Sequence, residues 1–208
     1  YKKKSIEMDL PFSYDSVTKK ISLNDGTSLE DFQDLNLEIK QLNVLVQDVI
    51  NASADVPPAP SPETYTKKLS MMIKKMHESA VLSMRSGKTL EAIKQFNVAL
   101  GLASARPKFE SFQLGIGEFI ICLIGRCDCY LISKNWAGAY ADAEVLAQLA
   151  ANVPDNHLRK GLAEMNLGDL LAAKASFERG LCFGATHPKL LAELENVKQK
   201  IAVENGED

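Results

Sequence analysis

With 208 residues the chain has material for one ordinary domain and a small appendage, and its apolar and charged fractions, 46% and 25%, exclude a disordered protein. The longest apolar run, residues 119–125, is far shorter than the roughly 20 residues of a membrane-spanning helix, and Arg126 closes it, so no transmembrane helix is expected. The net charge of -3 hides an asymmetry: residues 63–110 carry nine Lys and Arg against four Asp and Glu, a local +5 against -8 elsewhere, and such a basic region seeks an acidic partner.

From the start of the chain, residues 1–10 hold no apolar core of a signal peptide, and an intracellular chain is expected. Ile6, Met8 and Leu10 alternate with charged residues as in a short strand, residues 17–23 contain a second strand candidate, and Asn24-Asp25-Gly26 is a turn signal. From about residue 30 to 50 the apolar positions Leu35, Ile39, Leu42, Val46 and Val49 recur at four and three spacings, which predicts an amphipathic helix. Residues 1–52 therefore read as a small α+β unit with a marginal core. Leu35, Leu42, Val44, Leu45 and Val46 offer more apolar surface than so short a segment hides, so this unit is expected to be an anchoring domain held by a partner. Residues 53–63, "SADVPPAPSPE", contain four of the eight prolines, cannot continue a helix and read as an extended linker.

Residues 64–208 are helix-patterned throughout and repeat themselves. Small residues at 80 and 92, 127 and 139, and 161 and 173 are each separated by 12 positions, bracketing turns at 86–88, 133–135 and 167–169. Position 161 follows 127 by 34 residues, the tetratricopeptide period; position 127 follows 80 by 47, an insertion of 13 around Arg106-Pro107-Lys108. Phe96 and Phe177 occupy the aromatic position of the first and third copies, and Ala143 stands there in the second. Glycine inside a helix costs about 1 kcal/mol against alanine, so Gly161 and Gly180 imply that neighbouring helices approach closely there. Residues 188–203 carry Leu190, Leu191, Leu194, Val197 and Ile201 on one face and read as a capping helix. The predicted fold is mostly α: three tetratricopeptide repeats plus a capping helix, an α-solenoid, behind the small α+β unit.

No residue pattern points to catalysis. The sequence 84–89, "MRSGKT", ends like a phosphate-binding loop, but Leu82 stands where that loop needs a glycine, and the repeat register makes Gly87-Lys88 an interhelical turn. Gly115-Ile116-Gly117 lacks the third glycine and the flanking strand of a dinucleotide site. Cys122, Cys127, Cys129 and Cys182 read as small buried hydrophobes; Cys127 and Cys129, two apart on a helix, face different ways and no second ligand pair follows. His77, His157 and His187 are far apart, with no nucleophile spaced to partner them. A non-enzymatic protein is expected, with no cofactor, no metal and no nucleic acid partner.

What remains is a binding groove. In stacked repeats of this kind the first helix of each lines the concave side. Lys74, His77 and Val81 share a face of the first such helix, Gly125 and Arg126 are offered by the second, and Asp155, Arg159 and Lys160 by the third. Arg159, two residues before the crossing position 161, is expected to face the groove and solvent. The peptide-binding candidates are Lys74, His77, Arg126, Arg159 and Lys160.

The order of a small N-terminal unit, a Pro-rich linker, "KKMHESAV", a long insertion before "GRCDCYLISKNWAGAYAD" and then "RKGLAEMNLGDLLAAKASFERGL" resembles the fungal Sec seventy-two family, the tetratricopeptide subunits of the post-translational translocation complex at the endoplasmic reticulum. The resemblance covers nearly the whole chain and is strongest from Glu63 onward. It implies a peripheral receptor or adaptor at the cytosolic face of the endoplasmic reticulum membrane, held there by a membrane-anchored partner subunit of the Sec complex through the N-terminal domain. It implies that the groove captures the acidic C-terminal tail of cytosolic seventy-kilodalton heat-shock chaperones, ending Glu-Glu-Val-Asp or similar. Chaperone-binding tetratricopeptide domains hold such tails with two Lys, two Asn and one Arg; the matching positions here are His77, Val81, Gly125, Asp155 and Arg159, so only Arg159 agrees. The departure implies an atypical clamp in which Lys74, Arg126 and Lys160 supply the missing charge. The alternative is a structural scaffold whose groove packs a partner subunit without binding chaperones.

Overall fold

In a computed structural model that describes residues 10–28, 30–56 and 65–206, the chain divides into two units. The first runs to residue 61 and includes Pro107–Phe109; the second comprises Pro62–Arg106 and Glu110–Asp208.

In the first unit, strands β1 (Phe12–Asp15) and β2 (Lys20–Leu23) pair antiparallel, with Phe12 opposite Leu23 and Asp15 opposite Lys20. Asp15 organises the connecting turn, accepting from the Val17 N–H at 2.8 Å and the Thr18 hydroxyl at 2.7 Å, and Lys19 takes a left-handed φ of 57° to close it. The second expected strand is thus found within its range. The first, over residues 6–10, falls outside the described residues apart from Leu10, and β1 was not anticipated. The turn at Asn24–Gly26 follows β2, with Gly26 at φ 88°. Helix α1 (Gln33–Asn51) packs on β2, and its Asn43 side chain acts as a substitute strand. The amide oxygen accepts from the Ile21 N–H at 2.9 Å and the amide nitrogen donates to the Ile21 carbonyl at 2.8 Å. Among the described residues of α1 only Ile39 is buried, while Leu37, Leu42, Val44 and Ile50 are exposed. The proline-rich stretch lies mostly outside the described residues.

The second unit is a run of antiparallel helices: α2 (Lys67–Arg85), α3 (Thr89–Ser104), α4 (Phe112–Ile132), α5 (Trp136–Leu149), α6 (Pro154–Leu167), α7 (Leu170–Phe183) and α8 (Pro188–Asn205). Each of the three intra-repeat turns needs one left-handed residue, which explains their composition: Gly87 at φ 76°, Lys134 at 58° and Gly168 at 93°. Asn135 and Asp169 then cap the next helices by accepting from the N–H groups of Gly138 and Ala172. At the crossings Ala80, Ala92, Cys127, Ala139 and Ala173 are fully buried. A Cβ on Gly161 would collide with the Phe177 ring, and one on Gly180 would sit 2.8 Å from Leu190 of the capping helix. The glycines are therefore where large side chains of the neighbouring helix enter. The buried thiols of Cys122 and Cys129 are pushed up to about 11 and that of Cys127 to about 12, chiefly by burial, so all three are neutral packing groups at physiological pH.

The 13 inserted residues go mostly into α4, which runs 21 residues against 14 in α6. They are fixed by a buried network that sequence reasoning missed. The Arg106 guanidinium pairs with Glu110, bonds Glu118 through Nε at 3.1 Å and donates to the Ser70 hydroxyl at 2.6 Å. Glu110 in turn accepts from the Thr66 N–H at 3.0 Å, so the insertion is tied to the first turn of α2.

Candidate functional site

The first helices α2, α4, α6 and α8 touch one another in series, whereas among the described residues α3, α5 and α7 do not. The first helices therefore form the inner, shorter layer of the solenoid and the second helices the splayed outer one. A side chain on α2, α4 or α6 whose charged end is bonded to a second helix is turned out of the inner face.

That criterion separates the candidates. Lys74 is exposed on α2 and pairs loosely along the helix with Glu78 at 3.9 Å. His77 is half-buried: its ring stands edge-on to Phe96, 5.7 Å between centroids, and borders a hollow of about 340 Å³ with Val81, Leu82 and Arg85. Burial, partly opposed by the Glu78 charge, holds the imidazole below its ordinary 6.5, so it is neutral at pH 7. Arg159 on α6 reaches across to α4, bonding Asp128 through Nε at 2.7 Å and Nη2 at 3.2 Å, with Asn156 at 3.3 Å on Nη1. This pair joins two first helices and lies on their inner side.

Arg126 and Lys160 turn the other way. Arg126 grips Asp142 of α5 with two bonds, 2.8 and 2.6 Å, and donates to Asn97 of α3 at 2.7 Å, so it is wedged between first and second helices. Lys160 pairs with Glu144 of α5 and lies 3.8 Å from Glu164, whose other oxygen accepts from Ser176 of α7 at 2.6 Å. The placement of these two cations in the groove is corrected. Each stands one residue before the crossing position, 127 or 161, and that step of about 100° carries the side chain to the outer layer. Their equivalence, 34 residues apart, was readable in the sequence. The expected solvent-facing Arg159 is also corrected: its side chain is 17% exposed and engaged with Asp128, which is 36% exposed.

The remaining clamp positions have physical reasons for their identities. Gly125 cannot carry an asparagine, because the Phe96 ring of the preceding repeat lies directly against its backbone. Asp155, at a lysine position, accepts from His187 Nε2 at 3.3 Å and so helps seat the capping helix. The inner face thus holds one guanidinium on α6 with Asp155 beside it, Lys74 and a neutral imidazole on α2, and a carboxylate, Asp128, in between.

No family model matches the chain. It is 30% identical over 171 residues to the translocation protein SEC72 of Saccharomyces cerevisiae, an alignment covering 81% of this chain and 86% of that protein. A chain in the cryo-EM structure of the Saccharomyces cerevisiae Sec complex superposes with a TM-score of 0.68 at 26% identity, covering 93% of this chain and 99% of that one. The second tetratricopeptide domain of human RPAP3, solved with the HSP70 peptide SGPTIEEVD, shares the fold, with a TM-score of 0.53 at 20% identity over 62% of this chain and 98% of that one.

Proposed function

The chain belongs to the family of the translocation protein SEC72, and from that premise we propose that it is a non-enzymatic adaptor of a translocation complex that receives the acidic C-terminal tail of a cytosolic heat-shock chaperone. The tetratricopeptide fold is a protein-interaction module, and the fold neighbour from RPAP3 was solved with such a tail, which supports the reading. The observation that carries the reading is Arg159, a guanidinium on the inner face, bordered by Asn156, at the clamp position where chaperone-binding domains place their arginine. Lys74 and His77 line the far side on α2, and the tail would run between them across α4.

The test is a calorimetric titration of SGPTIEEVD into the full chain. Wild type binds, and Arg159→Gln or Arg159→Glu weakens binding about tenfold or more, the loss of a charge-assisted contact. Lys198→Glu on the capping helix, outside the clamp positions, binds as wild type does. Undiminished binding by folded Arg159→Gln overturns the site. A scaffold groove filled by a partner subunit would instead show no peptide binding.

Attachment is assigned to residues 1–52. The exposed Leu37 and Val44, seven residues apart on one face of α1, are the apolar surface that a partner subunit at the endoplasmic reticulum would cover. No helix among the described residues is long and apolar enough to cross a membrane, so the proposed membrane association is peripheral and runs through that partner. A chain beginning at Glu63 that still co-sediments with the membrane complex as well as the full chain does would remove this assignment.

A further inference from the structure

Asp128 occupies the position, relative to Arg159, that a ligand carboxylate would take. Its two oxygens meet Nε and Nη2 of the guanidinium at 2.7 and 3.2 Å, the fork geometry by which arginine recognises any carboxylate. The contact bridges α4 and α6 and is open enough to exchange: Asp128 is 36% exposed and Arg159 17%. The other arginine-aspartate fork of the solenoid, Arg126 with Asp142, is different, since its aspartate is 6% exposed and lies in the seam with the outer layer.

We propose that Asp128 is an internal competitor for Arg159, a specificity-determining residue that a peptide carboxylate must displace in order to bind. The proposal rests on the reading of the inner face as a peptide groove and defines which peptides it accepts. A lone carboxylate gains nothing by exchanging one carboxylate for another, so free acids and single acidic side chains are rejected. A ligand succeeds only when further contacts, along Val81 and the His77 hollow on α2, add to the exchange. The ligand class is therefore an extended acidic peptide with apolar residues beside the carboxylate that reaches Arg159. The exchange also leaves the number of ion pairs unchanged, so binding to the wild-type chain depends only weakly on salt. Without Asp128 the Arg159 guanidinium loses its direct partner, with only Asp155 on its own helix remaining nearby, and binding becomes more salt-dependent.

The experiment uses the full chain and three variants, Asp128→Asn, Arg159→Gln and the double variant, titrated with SGPTIEEVD and with acetate at low and high salt. Circular dichroism confirms that each is folded. Asp128→Asn is expected to bind the peptide about tenfold more tightly at low salt, to lose most of that gain at high salt, and to bind acetate detectably where wild type does not. The gain vanishes in the double variant, which a merely structural role for Asp128 would not produce. If wild type binds and Asp128→Asn binds equally or more weakly, the competitor role is overturned while the groove stands. If neither chain binds at any salt, the peptide groove itself is overturned, and the competitor role with it.

Discussion

Two arginines of the solenoid each grip an aspartate with a two-bonded fork, yet they lie on opposite sides of the first-helix layer. Arg126 and Asp142 sit in the seam between the layers, with Asn97 completing the cluster and the aspartate almost wholly withdrawn from water. Arg159 and Asp128 lie on the inner side, joining neighbouring first helices and open at one edge. What separates them is one residue of register: Arg126 precedes its crossing residue by one position, Arg159 by two. A rotation of about 100° moves the fork from a seam with the second helices to a contact between two first helices. Identical chemistry therefore has different consequences according to what the helix turns it toward.

The strongest way to break this comparison is to force polar groups onto the inner face where packing forbids them. Gly125→Asn would install the amide that a chaperone clamp uses, but the side chain must enter the space of the Phe96 ring. Overpacking of this kind costs about 3 kcal/mol or more. In a chain of this size that lowers the melting temperature by about 6–12 °C. Gly161→Val, which meets Phe177, should fall by a similar amount. If Gly125→Asn melts with the parent chain, the Phe96 wall is not what excludes the amide.

A crossed pair of substitutions sharpens it. Arg126→Ala leaves the Asp142 carboxylate buried without its guanidinium, at a cost of about 3 kcal/mol. Peptide affinity of the folded chain should not change. Arg159→Gln should do the reverse, costing about 1 kcal/mol or less because Asp128 can turn to water, while peptide binding collapses. Thermal melts and titrations on the same two proteins check both halves. Loss of peptide affinity in Arg126→Ala with an unchanged melt would return Arg126 to the groove.

Most of the helical scaffold was legible because its signals are local. The turns at Gly87 and Gly168 and the caps at Asn135 and Asp169 depend on residues within a few positions, and the 12 and 34 spacings place the crossings. What stayed hidden depends on partners distant in sequence. Arg106 stands in the sequence only as a residue of the insertion, beside a proline, until Glu110, Glu118 and Ser70 enclose it. Gly125 looks like a vacant clamp position because the ring that excludes an asparagine belongs to the preceding repeat. Strand β1, "FSYD", is only four residues long, too short for its alternation to stand out, and its pairing is decided by β2 and by Asp15 in the turn. The site was legible as a list of cations but not as directions, although the shared register of Arg126 and Lys160 already carried that information.

The smallest expected effect probes the other end of the inner face. His77 differs from Arg159 in having, among the described residues, no acidic partner on another helix; its near charges are Glu78 on its own helix and Arg85 beside the same hollow. Burial holds its ring below 6.5, so at pH 7.5 it adds shape but no charge. A bound peptide carboxylate favours the protonated ring, so binding takes up a proton and strengthens as pH falls through the range just below 6.5. Between pH 7.5 and 5.5 peptide affinity should rise about threefold, the size of a partly exposed ion pair. Stability runs the opposite way: because the folded ring titrates lower than the unfolded one, the stability His77 contributes is present above about 6.5 and is lost as pH falls through the folded value. His77→Gln should abolish the pH dependence of binding and leave affinity at pH 7.5 nearly unchanged. A pH slope that survives in His77→Gln would move the tail away from α2 and confine the recognised carboxylate to Arg159.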